Sequence, residues 1–325
     1  MAAARWAQTR EMGFAQASFR EADCSAQTAR DAYTATRCRM CVHVRTKTAR
    51  GQRARTARIA FGGGSLFGVV GLALLSLSST SAADVKPPAG LRCLERLYGI
   101  KSEPRDGGFV AQLGKSVLPY DDGQAKNAMQ RIESPDLEDM FSERYRTGPI
   151  RKVQRAEEDP GRARVEALFM QRYGRTQAAV AAALVSVDFV GSRVRVHRLT
   201  ASAFRAVAHR LAKLVQHKPE LRAFLTGIGG TFAWRPIAGT QRRSAHSYGI
   251  AIDLNVKLAH YWRWRMNSAG MAWDNSYPQE IVDAFEAEGF IWGGRWYHYD
   301  TMHFEYRPEL LDAACYSERD EKRLE

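Results

Sequence analysis

Residues 244–255, SAHSYGIAIDLN, decide how the rest of the chain is read. From Gly249 onward the side chains alternate in the two-residue period of a strand. Ile250, Ile252 and Leu254 fall on one face and form a core-facing row, while Ala251 and Asp253 share the other. A carboxylate in so apolar a strand is costly unless it is paired or binds a metal. Gly249 and Ala251 leave room beside it, and His246 sits in the preceding turn, within reach. A second stretch, DTMHFEY at 300–306, repeats the device. Met302, Phe304 and Tyr306 are expected to make its buried face, with His303 and Glu305 opposite. His246, Asp253 and His303 then form a three-ligand set that leaves the fourth tetrahedral position to water, as a catalytic zinc requires. Asp300 lies just ahead of the second strand, where it can touch that water. Singly, such a His is ordinarily a hydrogen-bonded turn residue and such an Asp a cap; only the joint pattern points to a metal.

Around these clusters the pattern is regular. ALVSVDFV and RVRVHRL flank Gly191-Ser192 and predict a hairpin. Thr200 is expected to cap a helix in which Phe204, Val207, Leu211, Leu214 and Val215 recur at helical spacing, with His209 and His217 facing solvent. Residues 278–288 predict another helix, with Pro278 near its start and Gly289 past its end. VEALFMQRYG and the Ala-rich run after Thr176 also read as helical. Residues 84–165 are instead rich in turn formers (KPPAG, EPRDGG, PYDDG, SPDLED and DPGR) around short strand-like pieces. Tyr120, Asp121 and Asp122 read as one of these turns, without catalytic function. The implied class is α+β: a small mixed, mainly antiparallel sheet with flanking helices, plus an irregular N-terminal extension.

With 45% hydrophobic and 26% charged residues in 325, the composition is that of an ordinary globular protein. The formal charge of +13 suggests a nucleic-acid partner, but residues 1–83 alone hold twelve Lys/Arg against four Asp/Glu. The remainder is nearly balanced and carries no basic stripe with interleaved aromatics, so no nucleic-acid partner is expected.

Residues 59–79, IAFGGGSLFGVVGLALLSLSS, are apolar and uncharged, preceded by Arg53, Arg55 and Arg58 and followed by STSAAD. This is the layout of a secretory signal peptide, placed at 58–83 with cleavage after Ala83, where Ser81 and Ala83 supply the small residues. The rival is an uncleaved anchor; if the leader is cleaved, no stable membrane span remains. Residues 1–57 have no sustained apolar period and are read as a disordered extension or a gene-model artefact, with the true start near Met40. Cys38 and Cys41 spell C-x-x-C without a second pair, so they make no zinc knuckle. Export would leave only Cys93 and Cys315, which are either a disulfide or two free buried thiols.

The motifs S-x-H-x-x-G-x-A-x-D (244–253) and D-x-x-H-x-E (300–305) resemble those of the zinc D-Ala-D-Ala metallopeptidases. That family includes D-Ala-D-Ala carboxypeptidases and dipeptidases of the vancomycin-resistance type and the L-Ala-D-Glu endopeptidases of phage lysins, with the hedgehog/DD-peptidase fold. The resemblance covers roughly 184–306, including TFAWRPIAGTQRRSAHS and EGFIWGGRW. It implies Zn2+ as cofactor, held by His246, Asp253 and His303, and Asp300 as the catalytic base. It further implies that Arg235 polarises the scissile carbonyl or holds the substrate carboxylate, and that Ser244 contacts substrate. Glu305 is read as the partner that orients an imidazole N–H. Glu stands in the vancomycin-resistance enzymes where this chain has Asp300; the L-Ala-D-Glu endopeptidases have Asp.

The implied organisation is an extension at 84–183 packed on a zinc peptidase domain at 184–310, with a tail at 311–325. The implied function is hydrolysis of peptidoglycan stem peptides in the periplasm or cell envelope, as a D-Ala-D-Ala carboxypeptidase or an L-Ala-D-Glu endopeptidase. A non-catalytic zinc module that binds wall peptides is the alternative from another class; it should lack an acid at position 300. His298 is read as a rim or groove residue, and His197 and His260 as ordinary surface or core histidines. Trp262, Trp264, Trp273, Trp292 and Trp296 either line a peptide groove or pack the core.

Overall fold

A computed structural model describes residues 86–150, 158–265 and 272–316. The signal-peptide stretch, residues 1–57, and Cys24, Cys38 and Cys41 lie outside the described residues, as does 317–325 of the tail. Helix α1 (Ala89–Tyr98) buries Leu91, Cys93, Leu94 and Tyr98 along one stripe and ends at Gly99, in the left-handed region at φ 68. A meander of β1 (Lys101–Arg105), β2 (Gly108–Leu113) and β3 (Ser116–Pro119) follows, paired antiparallel in that order. Helix α2 (Ala128–Glu133) starts in a capping box between Asn127 and Gln130. Just before it, the Lys126 ammonium lies 2.9, 3.0 and 2.7 Å from Asp122, Asp136 and Asp139, so the acidic PYDDG turn is neutralised from within.

Helices α3 (Glu166–Tyr173) and α4 (Gln177–Ala182) lead into the hairpin of β4 (Leu184–Phe189) and β5 (Ser192–His197). Its turn residues are Val190 and Gly191, at φ 45 and 87, rather than Gly191 and Ser192. Two consecutive positive φ values make the primed turn whose twist matches a hairpin. Ser192 pairs with Phe189 instead of turning. Helix α5 (Ala201–His217) follows; Thr200 stands at its N-cap but does not cap it, because its hydroxyl donates to the His197 carbonyl at 3.0 Å. His209 and His217 are exposed on α5.

The remaining elements build the central sheet: β6 (Ile228–Gly230), β7 (Ala251–Asn255), α6 (Trp262–Arg265), α7 (Gln279–Glu286), β8 (Phe290–Trp292) and β9 (His303–Tyr306). The strand order is β6-β7-β9-β8, antiparallel throughout. One core lies between this sheet and α5 and α7. There Phe204, Val207 and Leu211 meet Ile252, Leu254, Ile281, Phe285 and Phe304, with Phe285 stacked on Phe304 at 4.0 Å. Each such buried side chain contributes about 1.5–3 kcal/mol.

The opposite face is covered too. Leu91, Leu94, Leu168 and Phe169 from the extension form one continuous cluster with Tyr248, Ile250 and Ala251. Ile250 therefore parts from Ile252 and Leu254 and joins this second cluster, because the turn at Gly249 rotates it out of the strand's register. The expected division of β9 holds for the faces, with Met302 and Tyr306 packed beside the buried Phe304, but the burial is not one-sided. Glu305 is fully buried, whereas Met302 and Tyr306 are half-exposed.

Cys93 on α1 and Cys315 near the C-terminal end form a disulfide, with Cα atoms 5.4 Å apart and 222 residues of sequence between them. Closing so long a loop removes much entropy from the unfolded chain. Cys93→Ser should therefore lower unfolding stability by about 2–5 kcal/mol. Chemical denaturation under non-reducing conditions measures this, and an unchanged midpoint would remove the disulfide from the account of stability.

Candidate metal centre

Register brings the candidate ligands together. Asp253 on β7 is the direct cross-strand partner of His303 on β9, and Ala251 is the partner of Glu305. Directly opposed residues project to the same side with Cβ atoms about 4.5–5.5 Å apart. His246 comes from a turn of 3-10 helix, Ala245–Tyr248, that runs into β7 through Gly249 at φ 65. Position 249 must be glycine on two counts. The φ is left-handed, and a Cβ there would stand 2.6 Å from Leu184 and 3.1 Å from the His197 backbone nitrogen. The β4–β5 hairpin thus presses directly on the hinge between two of the ligands, and the His197 amide donates to the Gly249 carbonyl at 2.8 Å.

The three donor atoms form a small triangle. His246 Nε2 lies 3.1 Å from Asp253 Oδ1 and 3.2 Å from His303 Nδ1, and His303 Nδ1 lies 3.0 Å from Asp253 Oδ1. Tetrahedral ligands sit about 1.6 bond lengths apart, so zinc bonds of about 2.0–2.1 Å imply edges of about 3.3 Å. The triangle is within a few tenths of an ångström of that, and two imidazoles with one carboxylate are a donor set suited to zinc. The residues fit the ion.

Glu305 sets which His303 nitrogen is offered. Its carboxylate lies 3.1 Å from His303 Nε2, accepts from Arg164 at 2.8 Å, and pairs with Arg307 at 3.2 Å. An ionised carboxylate can only accept, so Nε2 carries a proton and Nδ1 faces the triangle. Burial opposes the charge on Glu305, but Arg164, His303 and Arg307 hold its carboxyl well below the usual range. Asp253 is likewise held down against burial, by His246 and His303. Burial disfavours the charged His303 ring, yet hydrogen bonds to Asp253 and Glu305 push it up to about 10.

Asp300 is anchored by its own backbone. Its amide donates to the Gly293 carbonyl at 3.0 Å, and its carbonyl accepts from the His303 amide at 3.2 Å. A Cβ at Gly293 would stand 2.6 Å from the Asp300 carbonyl oxygen, so the Gly-Gly turn is what lets that strand end approach. Asp300 Oδ1 is buried and has no hydrogen-bond partner among the described residues. Burial first, and then the Asp253 charge, push the Asp300 carboxyl up to about 7. An orphaned buried oxygen beside the triangle fits a group that meets a water or a reacting proton.

The triangle opens into a cleft of about 270 Å³ whose lining includes Arg235, Ser244, Trp262, Trp264, Trp296 and His298. Arg235 is exposed there, and its backbone is pinned by Ser247, a buried residue whose hydroxyl accepts from the Arg235 amide at 3.0 Å. Ser244 caps the 3-10 turn, its hydroxyl accepting from the His246 amide at 3.3 Å. Trp292 is core, and Trp273 donates its indole N–H to the Gly294 carbonyl at 2.8 Å. His197 is buried against the Tyr173 carbonyl, and His260 is held by Ser276 and Asp274 outside the cleft lining.

The sequence reading missed Asp159, Arg162 and Arg164, which the extension delivers to this cleft. Asp159 binds the His298 ring at 2.7 Å, and Arg162 and Arg164 line the wall. Their trace in the sequence is DPGRARVEALFMQRYG, which opens on a turn signal and resembles the extension of a periplasmic subgroup of the same family, without marking any of the three as a site residue. Ser247 was likewise an unassigned position of the first motif.

Residues 238–306 match the family model described as D-alanyl-D-alanine carboxypeptidase. The matched stretch holds Ser244, His246, Asp253, Asp300, His303 and Glu305, and begins after Arg235. The resemblance drawn from the two motifs is borne out at the level of a peptidase family.

Hydrogen bonds to Asp253 and Glu305 favour the charged form of His303, so an ion taken by Nδ1 competes with a proton there. Zinc affinity should rise by roughly tenfold per pH unit on the way from about pH 6 to about pH 9, with about one proton released per ion. Competition with a chromophoric chelator measures the slope, and a flat profile would show that no proton leaves His303 when the ion binds.

Proposed function

We propose that the chain is a zinc peptidase that hydrolyses amide bonds in peptidoglycan stem peptides, of the D-Ala-D-Ala carboxypeptidase type. The observation that carries the reading is the donor triangle of His246, Asp253 and His303, with the unpartnered Oδ1 of Asp300 in the same cleft. The family match supports a metallopeptidase acting on peptidoglycan in coarse terms, and the finer assignment rests on the residues. Bound by the triangle, zinc supplies Lewis acidity that makes hydroxide available near neutral pH.

The chain's own groups do the rest. Asp300 accepts the proton of the attacking water and passes it to the leaving amine as the C–N bond breaks and the new C–O bond forms. Arg235 stabilises the oxyanion that develops on the scissile carbonyl. Glu305 fixes the His303 tautomer through Nε2, and Ser244, beside His246, contacts the substrate backbone. Trp262, Trp264 and Trp296 give the cleft aromatic walls on which a substrate can pack, with Trp264 exposed.

One observation favours a second reading within the family: the acid at 300 is Asp, the residue of the L-Ala-D-Glu endopeptidases. The wall-peptide-binding module is disfavoured by the presence of that acid. Export to the cell envelope fits the leader composition and the Cys93–Cys315 disulfide, which persists in oxidising compartments. No helix among the described residues is long and apolar enough to cross a membrane.

Digestion of defined muropeptides with the zinc-loaded protein, followed by mass spectrometry, tests the reading. Release of D-Ala, abolished by a chelator, is expected; a new N-terminal D-Glu would assign the endopeptidase instead, and no product from any stem peptide would leave the binding module. Asp300→Ala should keep its zinc and lose turnover by about 10²–10⁴-fold. Full activity in that variant would refute its assignment as the base.

A further inference from the structure

The turn 159–162, Asp-Pro-Gly-Arg, is inserted into the wall of the cleft by contacts from every one of its residues. Asp159 accepts the His298 amide at 2.9 Å and binds its ring Nδ1 at 2.7 Å. The Pro160 carbonyl accepts from the Trp296 indole at 2.8 Å, and the Gly161 carbonyl accepts from Arg307 at 2.6 Å. Gly161, at φ 91, would carry a Cβ only 2.5 Å from Ile291 and 2.7 Å from Leu310. These contacts pin the turn, and Arg162 is its residue in the cleft lining.

Arg162 is an unspent cation. Its guanidinium lies over the Trp296 ring, 5.6 Å from the centroid, and its side chain is 17% exposed. Its ion pair is with Asp159 at 3.5 Å, a carboxylate whose two oxygens are already engaged by His298. The guanidinium makes no hydrogen bond among the described residues. Arg164, its neighbour on the same wall, is different, because it is committed to Glu305 at 2.8 Å. The other cation of the cleft with donors to spare is Arg235, carried by the segment that bears Ser244 and His246.

Arg162 and Asp300 line the same cleft, and the Trp296 ring under the Arg162 guanidinium lies 5.5 Å from the ring of His303. A base that passes its proton to the leaving amine has the leaving residue beside it. An arginine with free donors there matches one group in particular, a carboxylate taken by two parallel N–H bonds. We infer that Arg162 is a specificity residue that binds the α-carboxylate of the amino acid whose amine is released. This rests on the proposed peptidase activity with Asp300 as base. It also divides the labour of the two arginines, leaving Arg235 to the scissile carbonyl. The same chemistry occurs in two substrates: the C-terminal carboxylate of a terminal D-Ala, and the free α-carboxylate of the D-Glu that follows L-Ala.

Two acid–amide pairs separate them. One is an acyl-D-Ala-D-Ala peptide and its C-terminal amide; the other is an L-Ala-D-Glu stem peptide and its D-isoglutamine counterpart. With zinc-loaded wild-type protein, kcat/KM should favour the acid of the cleaved pair by about 30- to 1,000-fold. In Arg162→Gln that ratio should collapse toward unity, and Arg162→Lys, which keeps the charge but not the fork, should restore part of it. Zinc content measured alongside reports whether the site stays assembled. An Arg162→Gln enzyme that loses acid and amide hydrolysis in equal measure, or retains the wild-type ratio, overturns the assignment. Wild-type protein that cleaves neither pair overturns the peptidase reading, and this inference with it.

Discussion

Three hydrogen-bonding atoms, two imidazole nitrogens and a carboxylate oxygen, are crowded into a triangle about 3 Å on a side, and most of the architecture serves to keep them there. Left to themselves such groups would hold a proton between them, and the elevated His303 and depressed Asp253 describe that arrangement. A divalent cation satisfies all three donors at once. What holds them against relaxation is the antiparallel pairing of β7 with β9, in which Asp253 and His303 are opposed, and the glycine hinge that turns His246 back over them. A one-residue slip in that register would send Asp253 or His303 to the Phe285 side of the sheet and end the site.

The extension is part of this machinery. Its apolar residues share a continuous core with Tyr248, Ile250 and Ala251, which lie between His246 and Asp253 in sequence. Its polar residues complete the surroundings of the donor triangle. Arg164 charges the buried Glu305 that orients His303, and Asp159 fixes His298. A carboxylate as deeply buried as Glu305 is tolerated only because two guanidiniums reach it, one from the extension and one from Arg307 just beyond β9. Removing the extension would leave that charge half-compensated, so the matched stretch 238–306 is chemically incomplete alone.

The two motifs were legible because strand alternation is a local property. Asp253, His303 and Glu305 sit at odd positions in apolar runs, and a side chain that breaks the hydrophobic period announces itself. The α+β class followed from the same periodicities. What sequence could not convey was tertiary. Asp159 meets His298 across 139 residues, and Arg164 meets Glu305 across 141, with no repeat or spacing linking them. Local rules also yielded to packing: Thr200 gave its hydroxyl to His197 rather than to the helix. Glu305 is fully buried because its face of β9 is covered as well.

The sulfur bridge between α1 and the last described turn has a mechanical side. Tension applied upstream of Cys93 and downstream of Cys315 runs through a covalent clasp 5.4 Å across at the Cα atoms, bypassing everything between. The sheet, the hinge and the cleft hang from that clasp as a closed ring that carries no load. Force on the chain outside the two cysteines would therefore not draw His246, Asp253 and His303 apart while the disulfide holds.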